Sequence, residues 1–94
     1  MIIGEGVTSI GNNWFYNKTF TTLELPSTIT SLGSGTFNCS NLTNITVKAT
    51  TPPPANSAFK ADSSWINAVT IYVPAASVNA YKNANGWSIY RNRI

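Results

Sequence analysis

Apolar residues recur along this chain in a pattern that repeats every 22 positions. The segment VTSIG at residues 7–11 returns as ITSLG at residues 29–33. The same spacing relates three phenylalanines, Phe15, Phe37 and Phe59. A period of this length is typical of a solenoid, in which each repeat buries its apolar face against its neighbours.

Each repeat contains a short segment in which apolar and polar residues alternate. Leu23 and Leu25 flank a glutamate in the segment LEL, and Ile45 and Val47 flank a threonine in the segment ITV, 22 positions later. Alternation places the two apolar side chains on one face of a strand and the polar one on the other. We therefore predict short strands whose apolar faces line a common interior.

The residues between these strands are predicted to complete each layer of the core. Ile29 and Leu32 return apolar side chains to the interior after Pro26 has ended the strand pairing. Gly33 and Gly35 permit the backbone to bend, and the three phenylalanines then stack along the core, one from each repeat.

The first residues align with a strand of the repeat, because Met1 and Ile3 occupy the positions of Leu23 and Leu25 one period earlier. A strand at this position has an unpaired edge and an uncovered apolar layer. We therefore expect self-association through the exposed N-terminal repeat edge.

The pattern changes after Val47. The run TPPP at residues 51–54 is stiff and cannot join a sheet centrally. We interpret it as a rigid bridge to Phe59; the alternative is a proline-rich ligand for an aromatic-lined domain. Ile71 and Val73 resemble Ile45 and Val47 at a spacing of 26, which indicates four inserted residues.

The C-terminal segment is predicted to close the repeats. Residues 71–73 form the last strand, and residues 74–84 form a helix with a proline near its start and Gly86 after its end. Trp87, Ile89 and Tyr90 then fold back over the last layer, which would otherwise expose apolar surface. We expect a single domain, 1–94, with about three repeats over 1–69, the last irregular, and a final strand, capping helix and tail over 70–94.

Composition narrows the classes of function. The chain is 43% hydrophobic and 10% charged, which disfavours disorder, and its net charge of +3 is too scattered for a nucleic-acid surface. No segment reaches the apolar length that a membrane span requires. Cys39 is the single cysteine, so no internal disulfide can form, and we interpret it as a small buried apolar residue.

Side chains for catalysis and metal binding are scarce. The sequence has no histidine, which excludes histidine-based triads, and its carboxylates are limited to Glu5, Glu24 and Asp62. One cysteine without histidine disfavours zinc, and three scattered acids disfavour calcium. We predict that the chain is not an enzyme and holds no cofactor, with a glycosidase-like carboxylate pair as the remote alternative.

Outward strand positions and exposed aromatic residues are the candidate binding groups. Trp65 lies in the irregular inserted stretch, where we expect an exposed aromatic platform, whereas Trp87 belongs to the cap. Trp14 either packs beside Phe15 or contributes to an interface with a preceding repeat. The candidate binding surface comprises Thr22, Glu24, Asn44, Thr46, Trp65 and Tyr72.

These segments resemble the BspA-like bacterial leucine-rich repeat. The family pattern combines a strand and proline, as in LELP at 23–26, with a VTSIG-like piece, a phenylalanine such as Phe37 and a cysteine two positions later, here Cys39. The tail IYVPAASV at 71–78, with YK at 81–82 and GW at 86–87, is similar to the closing segment of such proteins in gut Bacteroides-type bacteria. Trp14 and Thr36 depart from the alanine that usually precedes the phenylalanine.

The resemblance implies a leucine-rich-repeat solenoid, a β-rich right-handed superhelix with short strands and a C-terminal capping helix. It also implies a cell-surface or secreted bacterial protein whose partner is a protein, with relatives implicated in adhesion to host or bacterial surface proteins. The chain shows no signal peptide, so we expect a fragment of a longer protein. The alternatives are a structural spacer or cap, and carbohydrate binding through exposed aromatics.

Overall fold

The protein is built from short parallel strands followed by a group of C-terminal helices. A computed structural model describes residues 1–16, 19–39, 41–55, 58–59 and 68–94. Within these ranges the strands are β1 (Ser9–Ile10), β2 (Thr22–Leu25), β3 (Ser31–Leu32), β4 (Asn44–Val47) and β5 (Thr70–Tyr72). The helices are a 3₁₀ helix over Ala75–Ser77, helix α1 over Val78–Asn83 and a second 3₁₀ helix over Ser88–Arg93.

One sheet has the order β2-β4-β5, with all strands parallel. Leu23 pairs with Ile45 at a spacing of 22, and Ile45 pairs with Ile71 at a spacing of 26. Both the repeat period and the insertion of four residues are therefore confirmed. Ile2 adds a parallel bridge to Glu24 on the free side of β2, as the alignment of the first residues predicted.

The second sheet pairs β1 with β3, in the register Ser9 to Ser31. The proline run lies where a third strand of this sheet would lie, because the Leu32 N–H donates to the Pro54 carbonyl at 3.0 Å. Pro54 is again 22 residues beyond its partner. Proline can accept this hydrogen bond but has no N–H with which to continue the ladder. The proline run thus carries the repeat onward to Phe59, which pairs with Phe37 in an isolated bridge.

The core is a column of apolar side chains, one layer from each repeat. Along β2 and β4 the first and third side chains are more exposed and the second and fourth are buried, as the alternation predicted. Phe15 and Phe37 stack with ring centroids 5.4 Å apart, and Phe37 and Phe59 follow at 5.7 Å. The predicted aromatic stack is confirmed, with Phe37 fully buried in its middle.

Two glycines allow neighbouring layers to pack closely. Gly35 has a φ of +69°, in the left-handed region that favours glycine. At Gly33 a Cβ atom would lie only 2.5 Å from the backbone nitrogen of Asn12 in the preceding layer. Asn12 in turn accepts a hydrogen bond from the Ser34 N–H at 2.8 Å through its side-chain oxygen.

The C-terminal helices are held on the last layer by side-chain hydrogen bonds to the segment that contains the prolines. The Tyr81 hydroxyl donates to the Ala49 carbonyl at 2.7 Å, the Ser77 hydroxyl to Thr50 at 2.7 Å, and Trp87 Nε1 to Pro53 at 2.8 Å. A buried carbonyl needs a hydrogen-bond donor, and the Trp87 indole supplies one to Pro53.

The predicted cap is confirmed in outline and corrected in detail. The helix expected over 74–84 consists of a 3₁₀ turn followed by α1, and Gly86 follows with a φ of +83°. Trp87 and Tyr90 are buried against Phe59, with ring centroids at 5.5 and 6.1 Å. The prediction that Ile89 also covers the core is wrong, since its side chain is 55% exposed. The Tyr90 N–H donates to the Trp87 carbonyl at 2.9 Å, and this single turn brings the side chains of Trp87 and Tyr90 to the same side, whereas Ile89 lies between them and faces away.

Candidate binding surface

The outward side of the three-stranded sheet forms an ordered array of side chains, the strand face. Its first row runs across the sheet through Ile2, Glu24, Thr46 and Tyr72, because the bridge at Ile2 and the registers of β2, β4 and β5 align these residues. A second row contains Thr22, Asn44 and Thr70. Five of the six predicted surface residues therefore come together; the sixth, Trp65, lies outside the described residues.

Exposure along the strand face depends on position in the row. Tyr72 lies at one end and is 54% exposed, and Ile2 lies at the other end and is 72% exposed. Glu24 and Thr46, which have neighbours on both sides, are half-buried. With strands about 4.8 Å apart, the row extends for about 14 Å between its two exposed apolar ends.

One ion pair crosses the strand face. Lys48 Nζ lies 3.2 Å from Glu24 Oε2, and the Lys48 N–H donates to the Leu25 carbonyl at 3.1 Å, which extends the pairing of β4 with β2. Both side chains keep much of their surface in water, so the pair adds little to folding stability. Its charges are accessible to a partner.

Sequence reasoning missed two members of this surface. Ile2 occupies the position of Glu24 one period earlier, so the alignment of the first residues already contained the signal that would have placed it there. Lys48 lies two positions beyond Thr46 and therefore on the same side of the extended chain. The predicted strand ends at Val47, so the prediction does not include Lys48.

Glu5 has a structural role between two layers. It lies in a turn, and its carboxylate accepts hydrogen bonds from the Ser27 hydroxyl and, at 2.8 Å, from the Ser27 N–H. The hydrogen bond from the Ser27 hydroxyl is the main reason that the pKa of Glu5 lies below its ordinary value. A glycosidase acid needs the opposite shift, which argues against the carboxylate-pair alternative; Asp62, the third carboxylate, lies outside the described residues.

The N-terminal end of the stack presents a second, apolar surface, the open end. A groove of about 290 Å³ lies there, and Trp14 borders it with 69% of its surface exposed. The indole lies against Gly11, where a Cβ atom would come within 2.6 Å of Trp14 Nε1. Trp14 is therefore not a core residue beside Phe15. The groove is lined by Ile3, Val7, Ser9, Ile10, Gly11, Trp14 and Phe15.

Cys39 is buried, as the sequence predicted. Its thiol donates to the Phe15 carbonyl at 3.0 Å and thereby links two adjacent layers. In the described part of the chain, no three residues of the types His, Cys, Asp and Glu lie close enough together to hold a metal ion. Over the same residues, no helix has the length and apolar character needed to cross a membrane.

The parallel registers and the aromatic stack define a repeat protein whose layers come from successive segments of the chain. Residues 1–86 match the family described as the BspA type leucine-rich repeat region (6 copies). The chain belongs to this family, as its resemblance to the BspA-like repeat indicated. No curated protein matches it. Membership supports a repeat module of the protein-interaction class.

Proposed function

We propose that the chain is a non-catalytic protein-interaction module that binds a protein partner with its strand face. The observation that carries this proposal is the register of the sheet, which brings Ile2, Glu24, Thr46 and Tyr72 into one row. We further propose one domain over 1–94, a right-handed solenoid with about three repeats to residue 69 and a cap from residue 70.

The chemistry of the row fits a protein partner. Tyrosine is enriched in protein interfaces because its rigid ring buries a large area at a small entropic cost. Tyr72 is the exposed aromatic residue of the row, and Ile2 offers a second apolar anchor about 14 Å away. Between them, Glu24 and Lys48 provide one charge of each sign, which favours a partner with complementary charges.

The residue inventory supports a role without catalysis. The whole sequence contains no histidine and only three carboxylate side chains. Of these, Glu24 is paired with Lys48, and Glu5 is held ionised by Ser27. Neither carboxylate is in the desolvated environment that a general acid requires.

The place of action in this proposal is the bacterial cell surface or the exterior, with adhesion to host or bacterial surface proteins as the activity. What supports it is the likeness to the BspA-type repeat, whose members are typically surface or secreted proteins. Carbohydrate binding through Tyr72 and Trp65 is a weaker alternative.

A structural cap is the second candidate, and one observation favours it. Trp87 and Tyr90 cover Phe59, and the cap is fixed to residues 49–53 by the hydrogen bonds described above. A segment that ends a stack in this way contributes to stability even when its strand face binds nothing.

The test is a binding screen of the chain against immobilised extracellular-matrix and bacterial surface proteins, with a glycan array in parallel. For a partner found in the protein screen, Tyr72→Ala should weaken binding by at least about tenfold, because the exposed aromatic anchor at one end of the row is removed. Ile89→Ala is the matched control, since Ile89 is equally exposed but lies on the cap.

The outcomes separate the candidates. Equal losses in the two variants would contradict a binding site on the strand face. Binding to glycans alone would favour the carbohydrate alternative, and no binding in either screen would favour the structural cap.

A further inference from the structure

The loop between helix α1 and the last 3₁₀ helix contains an Asn-Gly pair, Asn85 and Gly86. Asn85 is the only asparagine of the sequence that a glycine follows. Asparagine before glycine is a reactive combination, because the backbone nitrogen of the second residue can attack the side-chain carbonyl carbon of the first. Glycine has no side chain to obstruct that approach. The pair therefore holds a nucleophile, an electrophile and an amide leaving group in adjacent residues.

Asn85 and Gly86 occupy the central positions of a β-turn. The Trp87 N–H donates to the Ala84 carbonyl at 3.1 Å, and the Ser88 N–H donates to the same carbonyl at 2.9 Å. Gly86 has a φ of +83°, which is the conformation that the third residue of a type II turn requires. Both hydrogen bonds close the turn around the pair, and neither of them uses a group of Asn85 or Gly86.

The reacting groups of the pair are without partners in the described part of the chain. Asn85 is exposed, and no described residue bonds to its side-chain amide or to the Gly86 N–H. Asn83 lies two positions earlier and is also exposed, but its surroundings differ. The side-chain amide of Asn83 donates to the Asn79 carbonyl at 2.9 Å, and the backbone N–H that follows it donates to the Tyr81 carbonyl at 3.3 Å. The same residue type is thus held at one position and available at the other.

We propose that Asn85 is a site of spontaneous deamidation and that its isoaspartate product loosens the cap. The Gly86 nitrogen loses its proton to solvent and forms a bond to Asn85 Cγ, while the bond from Cγ to the side-chain nitrogen breaks and ammonia leaves. Water then opens the resulting succinimide ring at either of its carbonyls, which gives aspartate or isoaspartate without a change in oxidation state.

The turn controls when this reaction can occur. In a type II turn the backbone nitrogen of the third residue points away from the side chain of the second. The Asn85 Cα–C bond must therefore rotate before the attack, so the reaction takes place during local openings of the turn. The site lies on the cap and does not depend on the strand face.

The isoaspartate product changes the path of the backbone next to Trp87. Its main chain runs through the former side chain and is longer by a CH2 group, so the Ala84 carbonyl cannot keep both of its hydrogen bonds in their present geometry. This turn positions Trp87, whose indole donates to the Pro53 carbonyl at 2.8 Å and covers Phe59. The aspartate product keeps the original backbone, and its carboxylate joins a segment, 68–94, with three basic and no acidic side chains. Isoaspartate, and not the new charge, is therefore the product that loosens the cap.

Peptide mapping by mass spectrometry tests the chemical step after the purified chain has been kept for several weeks in mildly alkaline buffer at body temperature. Asn85 should exchange its side-chain NH2 for OH, and fragmentation should identify isoaspartate as well as aspartate at this position. Modification at Asn83 should be at least about tenfold slower, because hydrogen bonds hold its side chain and the following N–H. Asn85→Gln should abolish modification at position 85 over the same period, because the longer side chain would have to close a larger ring.

Thermal melting tests the effect on the cap. The isoaspartate-containing chain, separated chromatographically from aged material, should unfold at a lower temperature than the fresh chain, whereas Asn85→Asp should unfold at the same temperature as the fresh chain. Asn85→Gln should keep its melting temperature through the incubation, which distinguishes deamidation from other effects of ageing. Three results would each overturn the proposal: an Asn85 side chain that is still unmodified after the incubation, equally fast modification at Asn83, and an isoaspartate-containing chain that is as stable as Asn85→Asp.

Discussion

The two ends of the stack hold the same residue type in different surroundings. Phe59 is buried, with Phe37 stacked on one side and Trp87 and Tyr90 on the other. Phe15 occupies the equivalent position two periods earlier, yet it is only partly buried. Besides Phe37 it contacts Phe20 in an edge-to-face arrangement, with ring centroids 6.3 Å apart. The repeat assigns each phenylalanine its place, but the next layer determines how much of it is covered.

The folding stability of this protein therefore depends on contacts between layers. A repeat of 22 residues cannot enclose a core by itself, so each layer depends on its neighbours for burial. A middle layer is covered on both sides by other layers, and the capped layer is covered by one layer and by the C-terminal helices. The open layer is covered on one side only. The same substitution should therefore change the free energy of unfolding by different amounts in different layers of the stack.

The largest effect is expected for Phe37→Ala. The ring lies fully buried between two others, and its removal leaves a cavity that rigid neighbouring layers cannot fill. We expect a loss of about 3–5 kcal/mol in the free energy of unfolding, measured by urea denaturation. This loss would remove most of the stability of a small domain.

Phe15→Ala is the matched comparison for that measurement. The same ring is lost from a half-covered site, so we expect a decrease of about 1–2 kcal/mol. Equal decreases in the two variants would contradict the difference between middle and end layers.

Trp87→Phe should have the next largest effect. The smaller ring can still cover Phe59, but the hydrogen bond from Nε1 to the Pro53 carbonyl at 2.8 Å is lost. Pro53 is buried, so its carbonyl would be left without a partner, at a cost of about 1–3 kcal/mol. Thermal melting provides the measurement, and a stability equal to that of the wild type would show that this bond does not hold the cap.

Alkaline pH should destabilise the capped end. Burial raises the pKa of Tyr90 to about 12 and raises that of Tyr81 further, while both tyrosines titrate near 10 in the unfolded chain. The unfolded state therefore loses protons first, so stability is complete below pH 10 and decreases as the pH rises towards 12. One such group changes the free energy of unfolding by at most about 1.4 kcal/mol per pH unit.

Denaturant titrations at about pH 9, 10 and 11 measure how the free energy of unfolding changes with pH, because this range covers the onset of the decrease. Tyr90→Phe should flatten the decrease, since it removes one of the two titrating hydroxyls. An unchanged slope in that variant would assign the alkaline sensitivity to another group.

The smallest effect is expected on the strand face. Glu24→Gln breaks the ion pair with Lys48, whose side chain is 49% exposed, so we expect a loss below about 1 kcal/mol that decreases further in high salt. A double substitution that exchanges the two charges, Glu24→Lys with Lys48→Glu, should restore the wild-type stability. A larger and salt-independent loss would indicate that Glu24 contributes to the fold through other contacts.

Much of this architecture could be predicted from the sequence because it depends on periodicity. The 22-residue spacing predicts the pairing of Leu23 with Ile45 and the stack of phenylalanines, since identical positions in successive repeats must lie one above another. The same reasoning predicts the strand face, because alternation determines which side chains point outward. It also located the four inserted residues before β5.

What could not be predicted depends on contacts between distant residues or on details of the local backbone. The bond from Trp87 to the Pro53 carbonyl joins residues 34 positions apart, and no local pattern specifies it. The prediction for Ile89 is wrong for a local reason, because the side chains that face inward depend on the turn between Trp87 and Tyr90, which the hydrophobic pattern does not specify. The groove beside Trp14 likewise arises from the way Gly11 supports the indole, which a hydrophobic pattern does not record.

Native-state hydrogen exchange is the most direct test of the difference between the two ends. The Thr30 N–H bonds to the Thr8 carbonyl at 2.7 Å in the first layers, and the Thr70 N–H bonds to the Thr43 carbonyl at 2.8 Å beside the cap. These two hydrogen bonds are similar in length. The protection of the two amides from exchange should therefore differ only through the stability of the layers that the bonds join. At a concentration where the chain is monomeric, we predict that Thr30 exchanges at least about tenfold faster than Thr70, because the open layer detaches first. Equal protection at the two amides, or stronger protection at Thr30, would contradict the account.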